Sequence, residues 1–372
     1  MKFRNVAGRG IFGESKVKGK LPMTGKYMAY VGSYSYTGKA KGITVYDVDV
    51  EAGKFIYRCE VEVDNSSYLK ASQNGQILYS IADEGVVAFR VLSNGSLARL
   101  NSANIRGMRG CHLSTSKADD YIFISGFHDG KITVLNLNKD GAVGQIADGV
   151  FHKGLGSVAE RSFRPHVSCS RLTPDERFLM VADLGIDQIK VYRFDHKDGK
   201  IALVDTIRCE LESAPKYFMF SSDGRFFYVL YEMKNVIEVY SYKEGERVPI
   251  VEKIQTISST GSKPNQLTAA CAMHFSPDEK HVFCSNAGDN TVSMYDRDDE
   301  TGMLTLRFCL PISGDYPKDI AIFPGGEHLA SINHEGSISF FKIDYEKGLL
   351  VMSDRSIKVN EPNCCEIVKI GD

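Results

Sequence analysis

Short apolar runs divided by polar turns make up most of this chain, and the arrangement repeats. In Thr173-Pro174-Asp175-Glu176-Arg177 a Pro-Asp turn leads into the apolar run Phe178 to Ala182. Proline sets φ for such a reversal, and Asp offers a local hydrogen bond. Asp183 to Asp187 is a second polar break. Ile189, Val191 and Phe194, with Lys190 and Arg193 between them, then begin a half-buried strand.

Close copies follow at Ser222-Asp223-Gly224-Arg225 and Pro277-Asp278-Glu279-Lys280, and looser ones begin near Gln73, Lys117 and Pro324. The second strand of each unit ends at Tyr46, Phe89, Leu135, Tyr192, Tyr240, Tyr295 and Phe340, so seven units recur roughly every 43 to 57 residues. With a further strand before each Pro-Asp turn and another after each second strand, a unit holds about four, the signature of a β-propeller. The pattern predicts an all-β fold, a seven-bladed β-propeller with four-stranded antiparallel blades. The opening unit at Tyr30 lacks its first strand. Cys364 to Val368 can supply it, so the C-terminal strand is predicted to pair into the first blade and close the ring, which removes a free sheet edge.

A chain of 372 residues could hold two domains, but an unbroken repeat argues for one, over residues 27–372. Residues 1–26 are basic, fall outside the repeat and read as an N-terminal arm. A net charge of -2 implies no general attraction to nucleic acid or to a membrane surface. The nine cysteines sit mostly in apolar strand runs without CxxC spacing, which predicts reduced, buried thiols. The neighbours Cys364 and Cys365 should face opposite sides of their strand, against a redox pair. The arm has no apolar stretch of the kind a signal peptide or anchor needs, so the expected compartment is the cytoplasm.

Loops at one end of a propeller converge on a central funnel. Residues opening each innermost strand, and those just after the next strand, should meet there. The first set includes Arg109, His166, Lys216 and Lys318, and the second Glu84, Asp183, Glu232, Asn286, His334 and Glu335. Cations can hold a carboxylate or phosphate while carboxylates and amides accept hydroxyl hydrogen bonds, so the set suits an anionic, polyhydroxylated ligand such as a sugar phosphate. Each charge alone could equally pair with a neighbour and cap a strand end. The segments 148–161 and 258–265 precede innermost strands and should reach over the funnel. No nucleophile elbow, zinc-protease helix, phosphate loop or dinucleotide fingerprint is present, and neither a metal nor a cofactor is expected.

With these residues in view, the chain resembles the seven-bladed lactonase family, which contains bacterial 6-phosphogluconolactonases and the fungal carboxymuconate cyclase. The resemblance spans about residues 27–370. It rests on Tyr30-Val31-Gly32-Ser33-Tyr34, Arg164-Pro165-His166, Val181-Ala182-Asp183-Leu184-Gly185-Ile186-Asp187, Ser285-Asn286 and Asp315-Tyr316-Pro317-Lys318-Asp319. It implies a funnel site with a Pro-His-x-His segment, an arginine opening the next blade, a glutamate sixteen residues later and an arginine after the Ser-Asn pair. Pro165-His166 and Glu232 keep that pattern, whereas Ser168 stands for the second histidine, Lys216 for the first arginine and Ala287 for the last. Lysine keeps the charge but not the bidentate fork, and Ala287 removes a cation.

The implied activity is hydrolysis of a sugar-acid lactone, above all 6-phosphogluconolactone in the pentose phosphate pathway. In that reading Glu232 is the base that activates water, and His166 is an alternative base or the acid for the leaving oxygen. Lys216 and Arg109 carry the oxyanion or the phosphate, and Lys318, Asp183, Asn286 and His334 complete the substrate site. The alternative is a non-catalytic propeller that binds a sugar acid or a protein partner.

Overall fold

A computed structural model describes residues 25–156, 163–261, 265 and 267–371. Most of the expected N-terminal arm lies outside the described residues, and Lys26 already begins the first strand. Strands β1 (Lys26–Ser33) to β28 (Pro362–Gly371) form seven four-stranded antiparallel sheets, with no helix among the described residues. Six blades take their strands in chain order, starting from β4 (Leu69–Ala71), β8 (His112–Thr115), β12 (Val167–Leu172), β16 (Pro215–Phe220), β20 (Ala269–Phe275) and β24 (Pro317–Ile322). These first strands touch those of adjacent blades around the ring.

The remaining sheet runs β28-β1-β2-β3, where β2 is Gly42–Asp49 and β3 is Lys54–Glu62. Ala29 lies opposite Ile367 and Val31 opposite Cys365, so the C-terminal strand closes the ring as the repeat predicts. Alternation along β28 sends Cys364 into the core shared with the second blade and Cys365 into that shared with the seventh.

The core lies between blades. Phe178 and Ile189 of the fourth blade pack with Phe227 and Tyr240 of the fifth, where those two rings stack 4.6 Å apart. Burying each such side chain contributes roughly 1.5–3 kcal/mol. The Pro-Asp turns gain their order from the hydroxyl that precedes them. Thr173 Oγ1 donates to Asp175 Oδ1 at 2.5 Å and accepts the Phe178 amide at 3.2 Å. Ser221 with Asp223 and Ser276 with Asp278 repeat this, each at 2.6 Å.

Two segments expected as loops are partly strand. Asp148 to Phe151 belong to the outermost strand β11 (Val143–Phe151), and Ser258 ends β19 (Ile250–Ser258). Of the residues that follow, His152 and Ser259 are buried, whereas Lys153 to Leu155 are exposed. Within these segments, residues 157–161 and 262–264 lie outside the described residues.

Candidate functional site

The channel floor is built by an irregularity repeated in the blades. Antiparallel pairing of the innermost strand slips by one residue between Pro215 and Tyr217, Pro317 and Asp319, Val167 and Cys169, and Ala270 and Ala272. It slips again where Pro362 and Cys364 pair with successive residues of β1. Each slip leaves one residue without a partner, and a bulge re-aims that side chain. The five residues are Lys216, Lys318, Ser168, Cys271 and Asn363, and all line one cavity of about 110 Å³ on the channel axis. Ser67 and Cys111 complete that wall from the second and third blades.

Two lysines therefore share a small space and are treated differently. Lys216 Nζ stands 2.7 Å from Glu232 Oε2. Burial works against its charge, but Cys271 and the Glu232 carboxylate outweigh that and hold its pKa above the ordinary lysine value. Lys318 Nζ donates to Asn363 Oδ1 at 2.6 Å and lies 4.7 Å from the centre of the Tyr34 ring, with no carboxylate in ion-pair range among the described residues. Burial, and then Lys216, push its pKa down to about 8. Cys111, between them in charge terms, is pushed up to about 12 by burial and stays a thiol.

Tyr34 joins the floor to the rim. Beside it also stand the Arg109 guanidinium, 4.8 Å from the ring centre, the Tyr36 ring at 5.5 Å and the His334 ring, edge-on at 5.8 Å. Arg109 also pairs with Asp83 at 3.0 Å. Burial, then Lys318, keep the His334 pKa below the usual histidine value, so the ring is neutral at pH 7.

His166 stands further round the ring. Its Nδ1 donates to the Phe127 carbonyl at 2.6 Å and its ring stacks on Phe127 at 4.4 Å, leaving Nε2 as the nitrogen that can meet a ligand. Arg109 and His166 both depress the pKa of His128, after burial, so these three share one side of the rim. Gly185 is required here, because a Cβ would run into the Arg164 carbonyl and the His166 ring.

Asp183 and Asn286, expected to touch substrate, are fully buried and serve the frame instead. Asp183 Oδ1 accepts the His166 and Gly185 amides at 2.8 and 3.1 Å, and Oδ2 accepts His152 Nδ1 at 2.7 Å. Asn286 Nδ2 donates to the Ser259 carbonyl at 2.9 Å, and Asn333 holds Ser313 in the same way. Each of the three clamps the crossover from the preceding blade's outermost strand. Glu84 and Glu335 are exposed and do not line the cavity. The physical reason is register. Successive strand residues face opposite sides, so Asp183 and Asn333 turn into the blade while Glu232 and His334, one step later in their blades, turn the other way and meet Lys216 and Tyr34. Asp183→Ala is expected to destabilise the fold by about 2–4 kcal/mol, read as a lower unfolding midpoint, because three buried donors lose their acceptor.

Tyr34, Cys111, Ser168, Cys271 and Asn363 join the expected residues in the site. A signal was present for one of them: proline immediately precedes the bulged residue at Lys216, Lys318 and Asn363. Among the described residues no group of three His, Cys, Asp or Glu side chains is gathered as a metal would need.

The sequence profile described as Lactonase, 7-bladed beta-propeller matches residues 28–367. The chain belongs to this family. Among its relatives is a protein named 6-phosphogluconolactonase from Bacillus subtilis, 26% identical over 350 residues and covering 92% of this chain and 99% of the relative. A crystal structure from Bacteroides fragilis, of a candidate 6-phosphogluconolactonase, is 29% identical, with a TM-score of 0.85 over 94% of this chain and all of that one. The periplasmic gluconolactonase of Pseudomonas aeruginosa shares the fold at 23% identity, with a TM-score of 0.86, over 93% of this chain and 99% of its own. Both family membership and relatives' names support a lactone hydrolase.

Proposed function

We propose that this lactonase-family protein opens a phosphorylated sugar-acid lactone, 6-phosphogluconolactone, with water. The observation that carries this reading is the Lys216–Glu232 pair at 2.7 Å on a channel floor that also holds Lys318 without a carboxylate partner. One lysine is paired with a base, and the other has charge to spare for an anion.

Glu232, paired with Lys216, takes the proton from water as the oxygen attacks the ring carbonyl. The oxyanion that forms gains from the Lys216 ammonium, a fixed donor in a site shielded from solvent. Collapse expels the ring oxygen, which needs a proton. His166 Nε2 can donate it after accepting one, as can Glu232 once protonated. Lys318 and Arg109, joined through Tyr34, hold the phosphate. Asp183 positions His166 through its backbone and does not touch the ligand. The nine cysteines form no disulfide, which suits a reducing compartment and supports the cytoplasm.

A second reading, a propeller that binds a sugar acid without turning it over, is favoured by two observations. The floor cavity of about 110 Å³ is smaller than the ~300–1,000 Å³ of most ligand pockets, and buried Ala287 brings no cation where the family resemblance implies arginine. Comparing 6-phosphogluconolactone with its unphosphorylated counterpart tests the substrate. Initial rates should show kcat/KM at least ~10-fold higher for the phosphorylated lactone, since one charge-assisted contact contributes roughly 1.5–3 kcal/mol. Equal values would remove the phosphate from the site, and rates equal to the spontaneous opening for both would favour binding without turnover.

A further inference from the structure

The channel opens at its other end into a second cavity, of about 470 Å³, which the lactone reading does not use. Arg171 lies in its wall. One of its terminal nitrogens donates to the Tyr217 hydroxyl, and the guanidinium lies 5.0 Å from the Tyr217 ring centre. Its Nε is buried without a hydrogen-bond partner. Among the described residues no carboxylate stands in ion-pair range of it, and the ionisable groups that act on it most, Tyr217, Cys169 and Tyr68, are each kept neutral because burial raises their pKa. The other cation facing this cavity from an innermost strand, Lys70, is paired with Glu366 at 2.8 Å. His112, beneath, is held neutral by burial and by the field of Arg171 and Lys70.

A half-buried guanidinium without a counter-charge in ion-pair range is left with charge to offer, and its planar fork matches an oxyanion. The hydroxyls of Ser114, Ser221 and Ser222 in the same cavity already donate to the Ser170 carbonyl, Asp223 and Glu279, so the Arg171 fork is the donor that carries the site. We propose that this far mouth is a second binding site, for a small oxyanion of phosphate or carboxylate type, centred on Arg171. Its volume falls in the range of small-molecule sites. Tyr68, Tyr217 and His274 line both cavities, so they form the partition between the two sites.

The chain has no tryptophan, so Phe220→Trp at the far mouth gives a single local reporter. Inorganic phosphate and acetate are titrated separately at constant ionic strength in a Lys318→Met background, which weakens anion binding at the near mouth. Fluorescence reports the place and calorimetry the stoichiometry. A saturable signal near one equivalent is expected with at least one anion, phosphate alone assigning a phosphate group and acetate a carboxylate. Arg171→Met should abolish it, and Arg171→Lys should weaken it by about 10-fold, since the charge stays and the fork is lost. No saturable signal with either anion by either method overturns the proposal, as does binding that survives Arg171→Met. If Arg171→Met does not fold, unchanged affinity in Arg171→Lys overturns it.

Discussion

Lys216→Met should lower kcat/KM for lactone opening by about 10³-fold, the scale of losing one fixed oxyanion donor together with part of the base's activation. The loss has two sources in one contact. Without the ammonium 2.7 Å away, the developing oxyanion has no partner on the floor, and the mostly buried Glu232 carboxylate loses the charge that favours its ionised form. The Glu232 pKa therefore rises, and the acid limb of the kcat/KM profile should move to higher pH, which a passive structural lysine would not cause. Lys216→Arg keeps a cation at a bulge where the family pattern implies arginine, and should retain activity to within about 10-fold. Initial rates across pH, with unfolding midpoints alongside, distinguish these effects.

Lys318→Met should have opposite consequences for binding and for stability. The expected rise in KM for the phosphorylated lactone is about 10- to 100-fold with a smaller change in kcat, because Lys318 holds the anion rather than the reacting carbon. Yet the ligand-free protein should unfold at a higher temperature, since a lysine whose pKa is forced down to about 8 is costly to keep charged at pH 7. The sign follows from proton counts. Between pH 8 and the ordinary lysine range the unfolded chain binds the proton that the folded one has released, so wild-type stability gains from Lys318 as pH rises through that window. Substrate affinity runs the other way: KM should climb above pH 8 in the wild type as the cation is lost, and stay flat there in Lys318→Met. A lower unfolding temperature in the variant, or an unchanged KM, contradicts this account of Lys318.

The blades were legible because Pro-Asp turns and alternating apolar runs each report a local event, and their recurrence from Tyr30 to Phe340 forces one architecture. Closure through Cys364 to Val368 was legible for the same reason, as the strand the first unit lacked. The site was legible only in part. Lys216, Lys318 and Glu232 come together, and Arg109 and His334 join them through Tyr34, whereas His166 bonds Phe127 and Asp183 further round the rim. Asp183 and Asn286 were placed at the right ends of the right strands but on the wrong face. A sequence window two residues wide cannot tell which neighbour turns inward when each innermost strand carries a bulge. Ser168, Cys271 and Asn363 carry no charge that marks them out, and the bulge that delivers them has no apolar pattern of its own.

The central claim is that the Glu232–Lys216 pair activates water against a sugar-acid lactone. Its most direct test follows 6-phosphogluconolactone opening at a pH where the spontaneous reaction is slow, with wild type, Glu232→Gln and His166→Ala in parallel. The account predicts a wild-type rate far above background, a fall of about 10²–10⁴-fold in Glu232→Gln, and a smaller loss in His166→Ala. Full activity in Glu232→Gln, or a wild type that cannot be told from the uncatalysed reaction, would contradict it.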